Sequence, residues 1–171
     1  MDDSDANWRL WGERDPYYAV LTDQRFRIGS IDQHRQAFFE SGRDFVAHWL
    51  TYIERHFGAL PRGRALDFGC GVGRMTIPLS EHFAAVVGVD IAPAMLEEAR
   101  RNSADRAITY VPSDDHLSQV EGTFDFVNSC IVLQHIPVAR GMALLAKLLD
   151  RVGPGGGCLI QLSTKRNRSW G

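Results

Sequence analysis

The chain has 171 residues, of which 44% are hydrophobic, and its 19 basic and 21 acidic residues leave a formal net charge of −2. That length supports one well-buried core and excludes two large domains, and the near-neutral balance gives no electrostatic reason for a nucleic-acid partner or a membrane surface. The start, Met1-Asp2-Asp3-Ser4-Asp5, is acidic where a secretory leader is basic, and no apolar run approaches the ~18 residues of a membrane span, so a cytoplasmic protein is expected.

Residues 1–62 read as an N-terminal helical cap on a core formed by residues 63–171. The cap opens on an aromatic-rich stretch in which Trp8 and Trp11 are expected to pack, and Asp15-Pro16-Tyr17-Tyr18 reads as either a lid or a turn anchored by aromatics. Ser30 and Gln33 then have capping-box spacing, and Phe38, Phe45, Trp49, Ile53 and Phe57 share one face of the following helical stretch.

From residue 64 short apolar runs alternate with helical patterns, which predicts a doubly wound α/β fold with a mostly parallel sheet of about five strands. Strands are expected at 64–68, 85–90, 108–111, 124–129 and 157–162, with helices at 74–82, 93–102 and 138–152. Pro93 suits a first helical turn, whereas Pro78 predicts a kink. The glycine-rich run at 153–157 reads as a stop between the last helix and the last strand. Cys70, Cys130 and Cys158 match no zinc spacing and read as small buried thiols, and His34, His48, His56, His82 and His116 show no metal spacing, so no metal is expected.

The chemistry concentrates in Ala65-Leu66-Asp67-Phe68-Gly69-Cys70-Gly71-Val72-Gly73-Arg74 and in Asp90, which ends the next apolar run. A strand, a glycine turn, a helix and a second strand ending in an acid is the layout of an adenosine-cofactor site. Gly69, Gly71 and Gly73 let a ligand approach the backbone, and Asp90 can accept two hydrogen bonds from a ribose diol while repelling a 2′-phosphate. A dinucleotide site would have glycine where Arg74 stands. Asp67 beside the turn is awkward for a pyrophosphate and welcome for a cationic amine, which favours S-adenosyl-L-methionine over NAD.

On these residues the chain resembles the class I S-adenosylmethionine-dependent methyltransferases of the small-molecule type, over roughly residues 60–162. The resemblance implies a Rossmann-like core that binds S-adenosyl-L-methionine through Asp67, Gly69, Cys70, Gly71, Gly73, Asp90 and Ile91. It further implies Met95 near the adenine, Ser113 and Asp114 at its amino group, and Asn128 and Ser129 at the methionine end, with Tyr18 as a candidate from the lid. Met95 can equally be plain core, and Asp114 a turn residue. The implied reaction is in-line attack of an oxygen, nitrogen or carbon of a small-molecule acceptor on the sulfonium methyl, leaving S-adenosyl-L-homocysteine. His135, in Leu133-Gln134-His135-Ile136-Pro137, is the candidate base, against a packed or capping role.

Members of this family usually carry two further strands after the fifth, whereas only residues 163–171 follow here. The apolar fifth strand is therefore expected at an open sheet edge or covered by a second copy, which makes self-association an expectation. Two other functions stay open beside the methyltransferase: a cofactor-binding module that is catalytically incomplete or truncated, and, more weakly, an NAD-dependent oxidoreductase.

Overall fold

In a computed structural model describing residues 4–104 and 106–162, all the strand pairs are parallel and the sheet order is β3-β2-β1-β4-β5. The strands are β1 (Arg64–Phe68), β2 (Ala85–Asp90), β3 (Ile108–Pro112), β4 (Phe124–Ser129) and β5 (Val152–Ile160). The helices are α1 (Ser4–Arg14), α2 (Pro16–Val20), α3 (Ile31–Phe57), α4 (Thr76–Leu79), α5 (Pro93–Asn102) and α6 (Val138–Leu149), with short 3₁₀ turns at Gln24–Phe26 and Leu133–His135. Among the described residues no helix is long and apolar enough to cross a membrane, and no cluster of His, Cys, Asp or Glu could hold a metal ion.

Alternating side chains bury the sheet on both faces, as a parallel sheet requires. Ala65, Val86 and Phe126 meet Val46, Leu50 and Ile53 of α3, together with Leu79 and Phe83. Leu66, Phe68, Val89, Phe124 and Val127 point the other way, onto Leu144 and Leu148 of α6 and onto Leu117 and Val120. Each of these large apolar side chains contributes on the order of 1.5–3 kcal/mol by leaving water.

Several local expectations are corrected. The buried stripe of α3 is Phe38, Gly42, Val46, Leu50 and Ile53, close to a strict four-residue spacing, and Phe57 lies off it at 80% exposure. Ser30 caps α3 by position, but its side chain makes no capping hydrogen bond. The helix predicted at 74–82 shrinks to α4, because the tightly turning backbone at residues 69–75 becomes helical only at Thr76; Pro78 sits in its first turn and disrupts little. The last helix ends at Leu149 rather than 152.

The glycine-rich run does not separate α6 from β5 but lies inside β5. Phe124 pairs with Val152 and Phe126 with Gly157, so residues 153–156 form a bulge that turns tightly at Gly155, where φ is +72°. A Cβ at Gly156 would sit 3.0 Å from the Phe124 carbonyl oxygen, so the bulge needs glycine there to hug β4. Among the described residues β5 pairs with β4 alone, and Cys158 on it is exposed rather than buried because nothing described covers that side.

Candidate cofactor site

β1 leads on to β2 and β3 on one side of the sheet, while its neighbour β4 leads to β5 on the other. Connections leaving in opposite directions open a cleft beyond the C-terminal ends of β1 and β4, where ligands of open α/β sheets bind. Asp67 to Gly71 from β1 and its turn, Cys130, Ile131 and Val132 after β4, Val89 to Ile91 after β2, Met95 of α5 and Ser113 after β3 line this cleft. The N-terminal segment roofs it with Ser4, Asp5 and Trp8 of α1 and Ala19 and Val20 of α2.

The turn takes its shape from left-handed backbone at Gly69, Gly71 and Gly73, with φ of +76°, +52° and +90°. A Cβ at Gly69 would lie 2.8 Å from Val132 Cγ1, and one at Gly71 would lie 2.5 Å from Val20 Cγ2, so α2 rests directly on the turn. The Gly69 and Cys70 N–H groups both donate to the Val89 carbonyl, at 2.7 and 3.0 Å, which ties the turn to β2.

Asp90 holds this geometry from the other strand. Its carboxylate accepts the Gly71 N–H at 2.8 Å and the Ala92 N–H at 2.9 Å, so one side chain fixes the turn and the start of α5. Each oxygen keeps a further lone pair for a ligand diol. Burial raises its pKa above the ordinary carboxylate value, against the lowering effect of these backbone donors.

Asp67 is 2% exposed and accepts the Thr76 hydroxyl at 2.6 Å and the Asn128 amide at 2.7 Å. Asp67 and Asn128 are register partners on β1 and β4, so the sheet itself places the amide beside the acid. Burial pushes the Asp67 carboxyl upward, while Thr76, Asn128 and the nearby Arg74 pull it down.

Of the residues singled out from the sequence, Asp67, Gly69, Cys70, Gly71, Asp90, Ile91, Met95, Ser113 and His135 converge on the cleft. Gly73, Asn128, Ser129, Asp114 and Tyr18 are not among its lining residues. Gly73 shapes the turn, and Asn128 acts through Asp67. Asp114 accepts the His116 and Ser118 N–H groups at 2.8 and 3.0 Å, the arrangement of a turn residue. The Tyr18 ring faces outward beneath the Arg27 guanidinium, 3.5 Å from its centroid, whereas its neighbour Tyr17 is buried and donates its hydroxyl to Glu98 of α5 at 2.6 Å. His135 sits in the second 3₁₀ turn with its ring edge-on to Trp8, centroids 4.9 Å apart, and partial desolvation lowers its pKa.

Trp8 therefore faces the cleft instead of only packing, and Arg74, Cys130 and Arg140 line it as well. None of these four was legible as a site residue, because each reaches the cleft only by long-range packing. Arg140 grips Asp5 through two hydrogen bonds of 2.7 and 2.8 Å and Asp115 at 2.5 Å, which fastens α1 to α6. At its other end α1 packs Gly12 against α5, where a Cβ would stand 3.2 Å from both Ala92 Cβ and Met95 Cγ. The cleft thus joins a carboxylate placed for a diol, a buried acid, an apolar wall and a roof, which suits an adenosine-bearing ligand with a charged end.

Residues 65–156, more than half of the chain, match the profile of the methyltransferase-domain family. The chain is 30% identical over 125 residues to a ubiquinone biosynthesis O-methyltransferase of Idiomarina loihiensis, covering 71% of this chain and 51% of that protein. It is 34% identical over 112 residues to a 23S rRNA uracil-C5 methyltransferase of Shewanella sediminis, covering 63% of this chain and 24% of that protein. It superposes on the magnesium protoporphyrin IX methyltransferase of Synechocystis, solved with bound S-adenosylmethionine, with a TM-score of 0.62 at 25% identity over 89% of this chain and 73% of that one. The chain spans about half the length, or less, of these curated relatives. With the sheet order, the glycine turn and the two acids in place, this chain belongs to the methyltransferase-domain family.

Proposed function

We propose that the chain is the cofactor-binding part of an S-adenosyl-L-methionine-dependent methyltransferase acting on a small-molecule acceptor. The observation that carries this reading is the pair of acids at the cleft. Asp90 offers free lone pairs toward a ribose, and Asp67 is a buried carboxylate that favours a cationic ligand over a pyrophosphate. The residues fit the cofactor: an acid stands where a diol would sit, Met95, Ile91 and Val89 supply an apolar wall, and Arg74 presents a buried donor with no described partner.

When bound, the cofactor supplies a sulfonium-activated methyl group. The work left to the chain is to hold the acceptor in line with that methyl and to keep water out, and positioning of that kind can supply roughly 7–11 kcal/mol of the barrier. Trp8 and the α1 roof close the cleft, and Asp90 orients the ribose. His135 stands at the mouth with its pKa depressed, so it is neutral at pH 7 and can take a proton from an acceptor hydroxyl or amine.

The relatives include both O-methyltransferases and an rRNA methyltransferase. The near-neutral charge of this chain favours the small-molecule acceptor. The unpaired edge of β5 favours self-association, and the first 62 residues serve as the cap over the cofactor. Calorimetric titration with S-adenosyl-L-methionine, S-adenosyl-L-homocysteine and NAD tests the central claim. Binding of the first two, lost in D90A, is expected, and binding of NAD alone overturns it.

A further inference from the structure

Two cations line the cleft, and they stand in different electrostatic states. Arg140 is neutralised by Asp5 and Asp115. Arg74 is 5% exposed, its Nη1 donates to the Ser41 hydroxyl at 3.3 Å, and its Nε is buried with no partner. Among the described residues no carboxylate reaches Arg74 at ion-pair distance. An arginine held in this way is costly, because a buried cation is stable only when an anion compensates it.

The position of Arg74 indicates which anion that is. The residue directly follows Gly73, its guanidinium lies 5.9 Å from the Phe45 ring centroid of α3, and its nearest charged or titratable neighbours are Cys130 and Asp67. That is the β1 and β4 side of the cleft, across from Asp90 and Ser113, where a ribose and an adenine would lie. Backbone donors in the turn do not supply an alternative: the Gly69 and Cys70 N–H groups go to Val89, and the Gly71 N–H goes to Asp90. α4 is only four residues long and offers no helix N-terminus of consequence. At this end the cleft therefore presents one buried acid, Asp67, and one buried, uncompensated base, Arg74. Their charges are complementary to an α-amino acid, with its ammonium and its carboxylate.

We propose that Arg74 binds the carboxylate of the cofactor's amino-acid end, and that Asp67 marks the side on which its ammonium lies. The assignment rests on reading the cleft as the S-adenosyl-L-methionine site. It gives Arg74 a positive role: the residue that removes the third glycine of a dinucleotide turn supplies the cation that an amino-acid-bearing nucleoside needs.

The test compares S-adenosyl-L-homocysteine with its decarboxylated analogue, which keeps the adenosine, sulfur and amine and lacks only the carboxylate. By calorimetry the wild-type protein is expected to bind S-adenosyl-L-homocysteine at least roughly 30-fold more tightly than the analogue. In R74M that preference is expected to collapse, with affinity for the analogue changed less than about threefold. Wild-type affinities within about threefold of each other overturn the assignment without any variant, even if R74M fails to fold. So does an R74M protein that loses both ligands by the same factor, which marks a structural role. If wild type binds neither ligand, the reading of the cleft itself fails and the assignment falls with it.

Discussion

Gly42 lies in the middle of α3, where glycine weakens a helix, yet a Cβ there would fall on the Arg74 carbonyl oxygen, 2.9 Å from the carbonyl carbon and 3.0 Å from Arg74 Cγ. The obstacle is backbone and cannot rotate away, so in G42A the helix must move off the glycine turn. Overpacking of this kind costs about 3 kcal/mol at the upper end of its range. Alanine returns roughly 0.5–1 kcal/mol of helix propensity, which leaves a net loss of about 2 kcal/mol. For a chain of this size that corresponds to a fall in Tm of roughly 4–8 °C by scanning calorimetry. The same shift displaces Arg74 and the turn, so affinity for S-adenosyl-L-homocysteine is expected to fall about tenfold. D44A, at an exposed position of the same helix, serves as the control and is expected to stay within about 0.5 kcal/mol of wild type. A G42A protein with unchanged Tm and unchanged affinity would refute the contact between α3 and the turn.

Other consequences can be checked separately. Burial holds the Asp67 carboxyl above its ordinary 3.8, so the folded state keeps that proton longer than the unfolded chain, and stability due to this group is lost as pH rises through the raised folded value. In urea titrations between about pH 4 and 7, the unfolding free energy of wild type minus that of D67N is expected to decline with pH, and a flat difference removes the argument. If His135 takes the acceptor's proton, the kcat/KM profile has an acid limb below pH 6.5 that is absent in H135N; an identical limb in the variant assigns the proton to another group. Cys70 and Cys130 are buried with pKa values pushed upward, whereas Cys158 is exposed on β5. One rapidly labelled thiol per chain is expected with a disulfide reagent. Protection of Cys158 together with a doubled light-scattering mass would show the β5 edge covered by a second copy.

Much of this protein is legible in the order of its residues. Asp67, the glycine turn and Asp90 can be read because strand, turn and strand-end acid are local features, each fixed by neighbours within a few positions, and periodicity then predicts the five parallel strands. Local pattern misleads where long-range contacts decide. The glycine-rich run looks like a break, but its small residues let β5 bulge against β4, and Phe57 continues an apolar spacing past the last turn of α3 that faces the sheet. The charged lining of the cleft shows the same limit. Asp5 and Arg140 are 135 positions apart and meet only because α1 crosses the ends of the strands, and Arg74 becomes a buried, uncompensated cation only when α3 closes over it. Which strands and turns form was set by nearest neighbours along the chain. Which charges remain open to a ligand was decided by packing, because burial and pairing belong to the folded surface and not to any single segment.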